Sequence, residues 1–177
     1  MNRKRMRGVY VVEFAIIGLL LFTLLFGVLE MGRLFFTVNA LDEVVRRGAR
    51  LAAVCDIRDP VILHRAIFNA ATDSGPSDLI ATLTPAHLTL SYLDENGALV
   101  ANPGPLDDFS SIRYVQLIIN DPDPLSTKTK FTFNLLIPGF SGVITLPTFR
   151  STIPRESLGR HAEGIQASDN PPGITPC

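Results

Sequence analysis

Charge is missing from the sequence for a long stretch near its start, and proline is missing for longer still. From Phe14 to Leu29 sixteen consecutive residues carry no charge, and no proline occurs before Pro60. The first absence excludes an ordinary water-exposed helix, and the second leaves room for one long uninterrupted helix. Acidic residues are missing from the first eight positions, where Arg3, Lys4, Arg5 and Arg7 stand unopposed. The formal net charge of −1 gives no reason to expect nucleic acid, and losing those four charges would take it to −5. Histidine is scarce, and His64, His87 and His161 have no His or Cys at metal-ligand spacing. No G-x-S-x-G, P-loop or paired-carboxylate motif stands in a suitable context. Asp121 and Asp123, like Asp94 and Glu95, read as turn residues, since neither pair matches an EF-hand calcium loop. The sequence therefore offers no case for an enzyme, a cofactor or a metal.

What is present begins with an apolar span. Val9 to Leu29 is a 21-residue segment interrupted only by Glu13. About 20 apolar residues cross the hydrocarbon core of a bilayer as a helix. The basic cluster on its N-terminal side keeps that end cytoplasmic, so everything after about residue 36 is expected outside. A cleavable secretory signal has a shorter apolar region ending in small residues. The end of this one, "GVLEMGRLFF", holds no such site.

Beyond Leu41 the pattern turns amphipathic. Leu41, Val44, Val45, Gly48, Ala52 and Cys55 share one helical face, with Arg46, Arg47 and Arg50 on another. Asp42 with Arg46, and Glu43 with Arg47, have the acid four residues ahead of the base, the favoured order. One helix from the membrane to about residue 55 is expected, roughly 70 Å long, with Gly27, Gly32 and Asn39 as the places for a bend. Asp59 and Pro60 read as the N-cap and first position of a second, short helix in "VILHRAIFNAATD".

From about residue 79 the texture is β. "HLTLSYL" leads into Asn96-Gly97, a type I′ hairpin signal. "IRYVQLIIN" is the best strand, and "KFTFNLLI" and "VITLPTFRSTIP" look like two more, with Pro147 marking an edge or a bulge. The fold class expected is α+β, a long N-terminal helix packed on an antiparallel sheet. Cys55 and Cys177 are the only cysteines, and both fall on the outer side. A disulfide between them is expected, with a buried Cys55 and a loose terminal thiol as the alternative.

Glu13 is the costly residue. An ionisable group inside a membrane is a functional candidate by default, although four residues from Val9 it can also reach the cytoplasmic interface. "RKRMRGVYVVEFAIIGLL" has a short basic leader, then Gly8, and Glu13 at the fifth place after that glycine. This resembles the class III signal of type IV pilin-like proteins, which a membrane aspartyl protease, the prepilin peptidase, cuts after the glycine. The resemblance implies cleavage between Gly8 and Val9. A neighbouring subunit's Glu13 would then neutralise the new α-amino group and set the register of packed helices.

The likeness can be narrowed. Gly8 with Glu13-Phe14, then Glu30, Gly32 and Arg33, then Gly48-Ala49-Arg50 resemble the TadE-like pseudopilins of the tight-adherence (Tad/Flp) pilus system. The match covers about residues 3–54, and "LPTFRSTIPRE" resembles the closing strand of such proteins. Val9 stands where major pilins commonly have Phe, which points away from a major pilin. The resemblance implies a leader 1–8, a transmembrane helix 9–36 and a periplasmic α+β domain 37–177. It also implies a protein of the bacterial inner membrane, single-span, able to enter a pilus. The partners implied are the membrane, the prepilin peptidase, other pilins or pseudopilins, and the platform proteins of the machine. Glu30 and Arg33 are expected to form either an interfacial ion pair or an assembly contact. Two other readings stay open: a signal-anchored envelope protein with a ligand- or partner-binding outer domain, and a minor pseudopilin of a type II secretion system.

Overall fold

The structure, a computed structural model, describes residues 7–57, 59–103, 110–123, 126–136, 143–159 and 177. Arg3, Lys4 and Arg5 of the N-terminal basic cluster, His161, and the tail before Cys177 lie outside the described residues.

Helix α1 runs from Arg7 to Val54, 48 residues, and Gly27, Gly32 and Asn39 are all helical within it. With no proline to remove an N–H, nothing in the segment interrupts the i→i−4 ladder. Two compact units divide the chain. One comprises Met1–Thr37 with Phe133–Ile144, the other Val38–Thr132 with Thr145–Cys177.

In the larger unit, a three-stranded antiparallel sheet is ordered β1 (Leu88–Leu93), β2 (Tyr114–Ile119) and β5 (Phe149–Pro154). The chain thus has a long N-terminal helix on an antiparallel sheet, an α+β fold. Register aligns Leu88 with Ile119 and Phe149, and Tyr92 with Val115 and Ile153. Strand alternation therefore puts these residues, with Leu90 and Leu117, on one face. Most of that face is buried, and α1 supplies the opposing layer through Leu41, Val44, Val45, Ala49, Ala52 and Ala53, all fully buried. Leu41, Val44, Val45, Gly48, Ala52 and Cys55 are all buried, while Arg46, Arg47 and Arg50 are exposed. Asp42 and Arg46 pair at 2.6 Å. Arg47 instead lies over the Phe68 ring, 5.1 Å from its centroid.

Helix α2 spans only Pro60–Ala66, shorter than its apolar pattern suggests. Asp59 caps it, its carboxylate accepting from the Val61 amide at 2.9 Å. It ends early because Phe68 turns left-handed (φ 68°), with Asn69 N–H reaching back to the His64 carbonyl. Asn69 and Ser77 then hold the following loop by side-chain bonds to the backbone, Ser77 Oγ donating to the Ile67 carbonyl at 2.6 Å.

Two β expectations need correction. The Asn96-Gly97 turn is not type I′, because that turn needs two left-handed residues and only Gly97 is left-handed (φ 78°). Asp94 reorganises it: its Oδ1 accepts from both Asn96 and Ala98 amides at 2.8 Å. The second arm is reduced to a bridge between Leu93 and Leu99. The segment "VITLPTFRSTIP" is two strands rather than one. β4 (Val143–Thr145) pairs with β3 (Thr132–Asn134) as a separate two-stranded sheet, and β5 begins at Phe149 on the edge of the other sheet. Pro147 has no N–H to continue a ladder. Asn120 takes over there: its Nδ2 donates to the carbonyls of Phe131 and Leu146 at 3.2 and 3.1 Å, and its Oδ1 accepts from the Phe131 amide at 2.7 Å.

Candidate functional site

Within the smaller unit, the apolar run of α1 has no protein cover. Val9, Leu20 and Leu29 are 55%, 66% and 64% exposed, which is how a helix meant for lipid or for other helices differs from a core helix. Among the described residues α1 is the one helix long and apolar enough to cross a membrane. Gly8 and Val9 lie in its first turn, with open space around Gly8. Glu13 lies a turn further on, exposed among apolar neighbours and without an ion-pair partner among the described residues. A bare carboxylate on such a surface is stabilised by a cation brought to it or by retreat to water.

Glu30 has a different environment. It is 7% exposed, although it follows directly on the apolar run. Arg33, three residues along, donates from one guanidinium nitrogen to both carboxylate oxygens, at 2.7 and 2.8 Å. The Leu136 amide reaches Glu30 Oε1 at 3.3 Å. Phe133 of β3 lies beneath the Arg33 guanidinium, 5.1 Å from ring centroid to Cζ. The Glu30–Arg33 pair therefore seats a hairpin from a hundred residues away. A buried carboxylate needs its charge balanced and its lone pairs satisfied, and the hairpin supplies an N–H and an aromatic face. Phe133 and Leu136 were not legible as partners of Glu30, because nothing in local spacing connects them. The nearest signal is compositional, since Phe131 to Phe149 is nineteen residues without a charge.

The Gly-Ala-Arg element is explained by packing. A Cβ on Gly48 would overlap the Leu117 side chain and stand 2.8 Å from the Ala66 Cβ. At Gly48, α1 is thus in close contact with both α2 and β2. Ala49 is fully buried and Arg50 exposed.

The end of α1 is closed by the far end of the chain. A helix leaves its last carbonyls without internal donors. Here Glu156 and Leu158 amides donate to the Ala53 carbonyl, each at 3.1 Å, and the Gly159 amide and Ser157 hydroxyl donate to the Val54 carbonyl. Cys55 and Cys177 are joined by a disulfide with Cα atoms 5.4 Å apart, and the Cys177 amide donates to Asp59 at 3.2 Å.

Among the described residues no His, Cys, Asp and Glu side chains gather as a metal site. Asp94 and Asp121 bond to amides of their own turns. His87 serves a short 3-10 turn with Thr84 and meets Phe131 edge-on at 5.7 Å. The features that stand out are surfaces for association: an apolar stem, an exposed Glu13, and a hairpin clasped at the C-terminal end of the apolar run.

Comparison with known proteins agrees with that character. Residues 8–50 match the family model of TadE-like proteins, about a quarter of the chain. The matched segment begins at Gly8 and contains Glu13, Glu30, Arg33 and Gly48. No curated protein and no solved structure matches the chain.

Proposed function

We propose that this chain, TadE-like over residues 8–50, is a minor pseudopilin of a Tad-type pilus or a related secretion apparatus. In this reading the N-terminus is cytoplasmic, the apolar stem crosses the inner membrane once, and the α+β domain lies outside. Prepilin peptidase removes residues 1–8, leaving Val9 as the first residue and Glu13 as the fifth. The observation that carries the reading is Glu13, an exposed carboxylate on an uncovered apolar stem, five places after Gly8.

The mechanism follows from charge. Cleavage after Gly8 creates an ammonium at the membrane edge, and in low dielectric a lone ammonium and a lone carboxylate are both costly. Staggering two stems so that Glu13 of one meets Val9 N of the next removes both costs at once. Such a pair stabilises one axial offset and disfavours others, which is a register device. The subunit then serves initiation, capping or regulation of the assembly, with other pilins and the platform proteins as partners.

The test is the intact mass and N-terminal sequence of the protein from its native membrane, with and without the peptidase. A chain beginning at Val9 only when the peptidase is present supports the reading, and Glu13→Ala should then leave cleavage intact while abolishing incorporation. A chain that keeps its first eight residues in peptidase-positive cells sinks it and leaves a signal-anchored envelope protein.

A further inference from the structure

The β3–β4 hairpin belongs beside the apolar stem, and its exposed side chains ask for something other than water. Phe133 sits at Arg33 and Leu136 at Glu30. Along β3 the chain therefore travels toward the N-terminal, apolar part of α1. Glu30 follows immediately on the uncharged run that ends at Leu29. The segment from Gly8 to Leu29, interrupted only by Glu13, rises about 33 Å as helix, close to the ~30 Å of a hydrocarbon core. A stem that crosses a bilayer over this segment leaves the acyl chains near Glu30, the level at which Leu136 is held.

The hairpin's composition fits that depth. Leu136 and Val143 are 67% and 63% exposed, as exposed as the stem itself. The nineteen residues around them carry no charge. Met31 and Phe36 of α1, one and six residues past Glu30, are also more than half exposed. A two-stranded hairpin is marginal in water without a further surface to lie on. The Glu30–Arg33 clasp covers Phe133 but leaves Leu136 and Val143 bare.

We propose that the β3–β4 hairpin is a second membrane contact: Leu136 and Val143 enter the outer headgroup–acyl boundary beside the stem, and Glu30 holds the hairpin at that depth. This rests on the stem being a membrane anchor and is independent of leader cleavage. It gives the Glu30-x-Gly-Arg33 element a task within a single subunit. The pair fixes the orientation of the hairpin against the stem, so the protein meets the bilayer at two places and cannot rotate freely about one helix.

The chain contains no tryptophan, so single probes report unambiguously. Full-length Leu136→Trp, Val143→Trp, Leu20→Trp and Leu99→Trp variants are reconstituted in phosphatidylethanolamine/phosphatidylglycerol vesicles with or without brominated acyl chains. Leu20 marks the stem, and Leu99 is an exposed position in the turn after β1. Expected is loss of roughly half the emission or more at position 20, in the middle of the stem, and also at 136 and 143, as for groups held about 5–10 Å into the boundary. Position 99 should be quenched by aqueous acrylamide alone. Adding Glu30→Ala to Leu136→Trp should shift that probe from bromolipid to acrylamide quenching. Quenching at position 20 but not at 136 or 143 overturns the proposal and leaves the anchor standing. A blue-shifted probe at 136 shielded from both quenchers also overturns it, because protein rather than lipid then covers the hairpin. No bromolipid quenching at position 20 removes the anchor and the proposal together.

Discussion

Gly48 of α1 stands so close to Leu117 of β2 that a side chain on the glycine would overlap the leucine and lie 2.8 Å from the Ala66 Cβ. The helix can meet the sheet and α2 at this distance only because position 48 has no Cβ. Gly48→Val should therefore destabilise the protein by ~1–3 kcal/mol, the usual result of overpacking a close-packed contact. Gly48→Ala should cost less, since the gain of about 1 kcal/mol in helix propensity offsets part of the clash. Denaturant unfolding of the detergent-solubilised chain measures both, and a neutral Gly48→Val would show that the layers are free to separate there.

Asn120 joins the end of β2 to the two segments that flank the β3–β4 hairpin. It combines a left-handed backbone (φ 58°) with side-chain bonds to Phe131 and Leu146. Asn120→Gly keeps the backbone and loses the bonds, each worth ~0.5–1.5 kcal/mol. Asn120→Ala loses both and should be the less stable of the two, by about 1 kcal/mol. Equal melting temperatures for the two would show that φ at this position carries no cost.

Gly159 donates its amide to the Val54 carbonyl at φ 75°, with a Cβ position only 2.7 Å from the Asp56 Cα and N. Both the conformation and the space exclude a side chain. Gly159→Ala should lower stability by more than about 1 kcal/mol and speed hydrogen exchange at the amides of 156–159. Unchanged exchange at those amides would count against this segment as the cap of α1.

The Cys55–Cys177 bridge spans 122 residues. Chain entropy assigns a loop of that size up to about 5 kcal/mol, with measured values commonly lower. Cys177→Ser should lower the melting temperature, as should reduction of the wild type. Reduction should not change the melting temperature of Cys177→Ser. The unreduced wild-type chain should be two hydrogens lighter than the reduced one by intact mass.

Elements governed by near neighbours were legible without the fold. The buried stripe of α1 from Leu41 to Cys55 follows from 3.6-residue periodicity, and Asp59-Pro60 announces a helix start whatever surrounds it. The central strand 114–119 has the same character, four of its six residues being β-branched or aromatic. The end of α2 and the Asn96-Gly97 turn were not legible, because Phe68 in left-handed geometry and the Asp94 carboxylate each override a local preference.

By itself the sequence determined that an apolar, proline-free segment of membrane length carries a single acid near its start, and that an amphipathic helix follows it. Those properties depend on residue type and spacing along one helix, and no long-range contact alters them. Only the tertiary structure decided what Glu30 touches, where the last strand breaks, and why position 48 is glycine. Each of these depends on a group distant in the chain: Leu136 at Glu30, Asn120 beside Pro147, Leu117 against Gly48. A hydrogen bond or a steric limit is set by distance in space, and a linear pattern holds that distance only when the partners are neighbours.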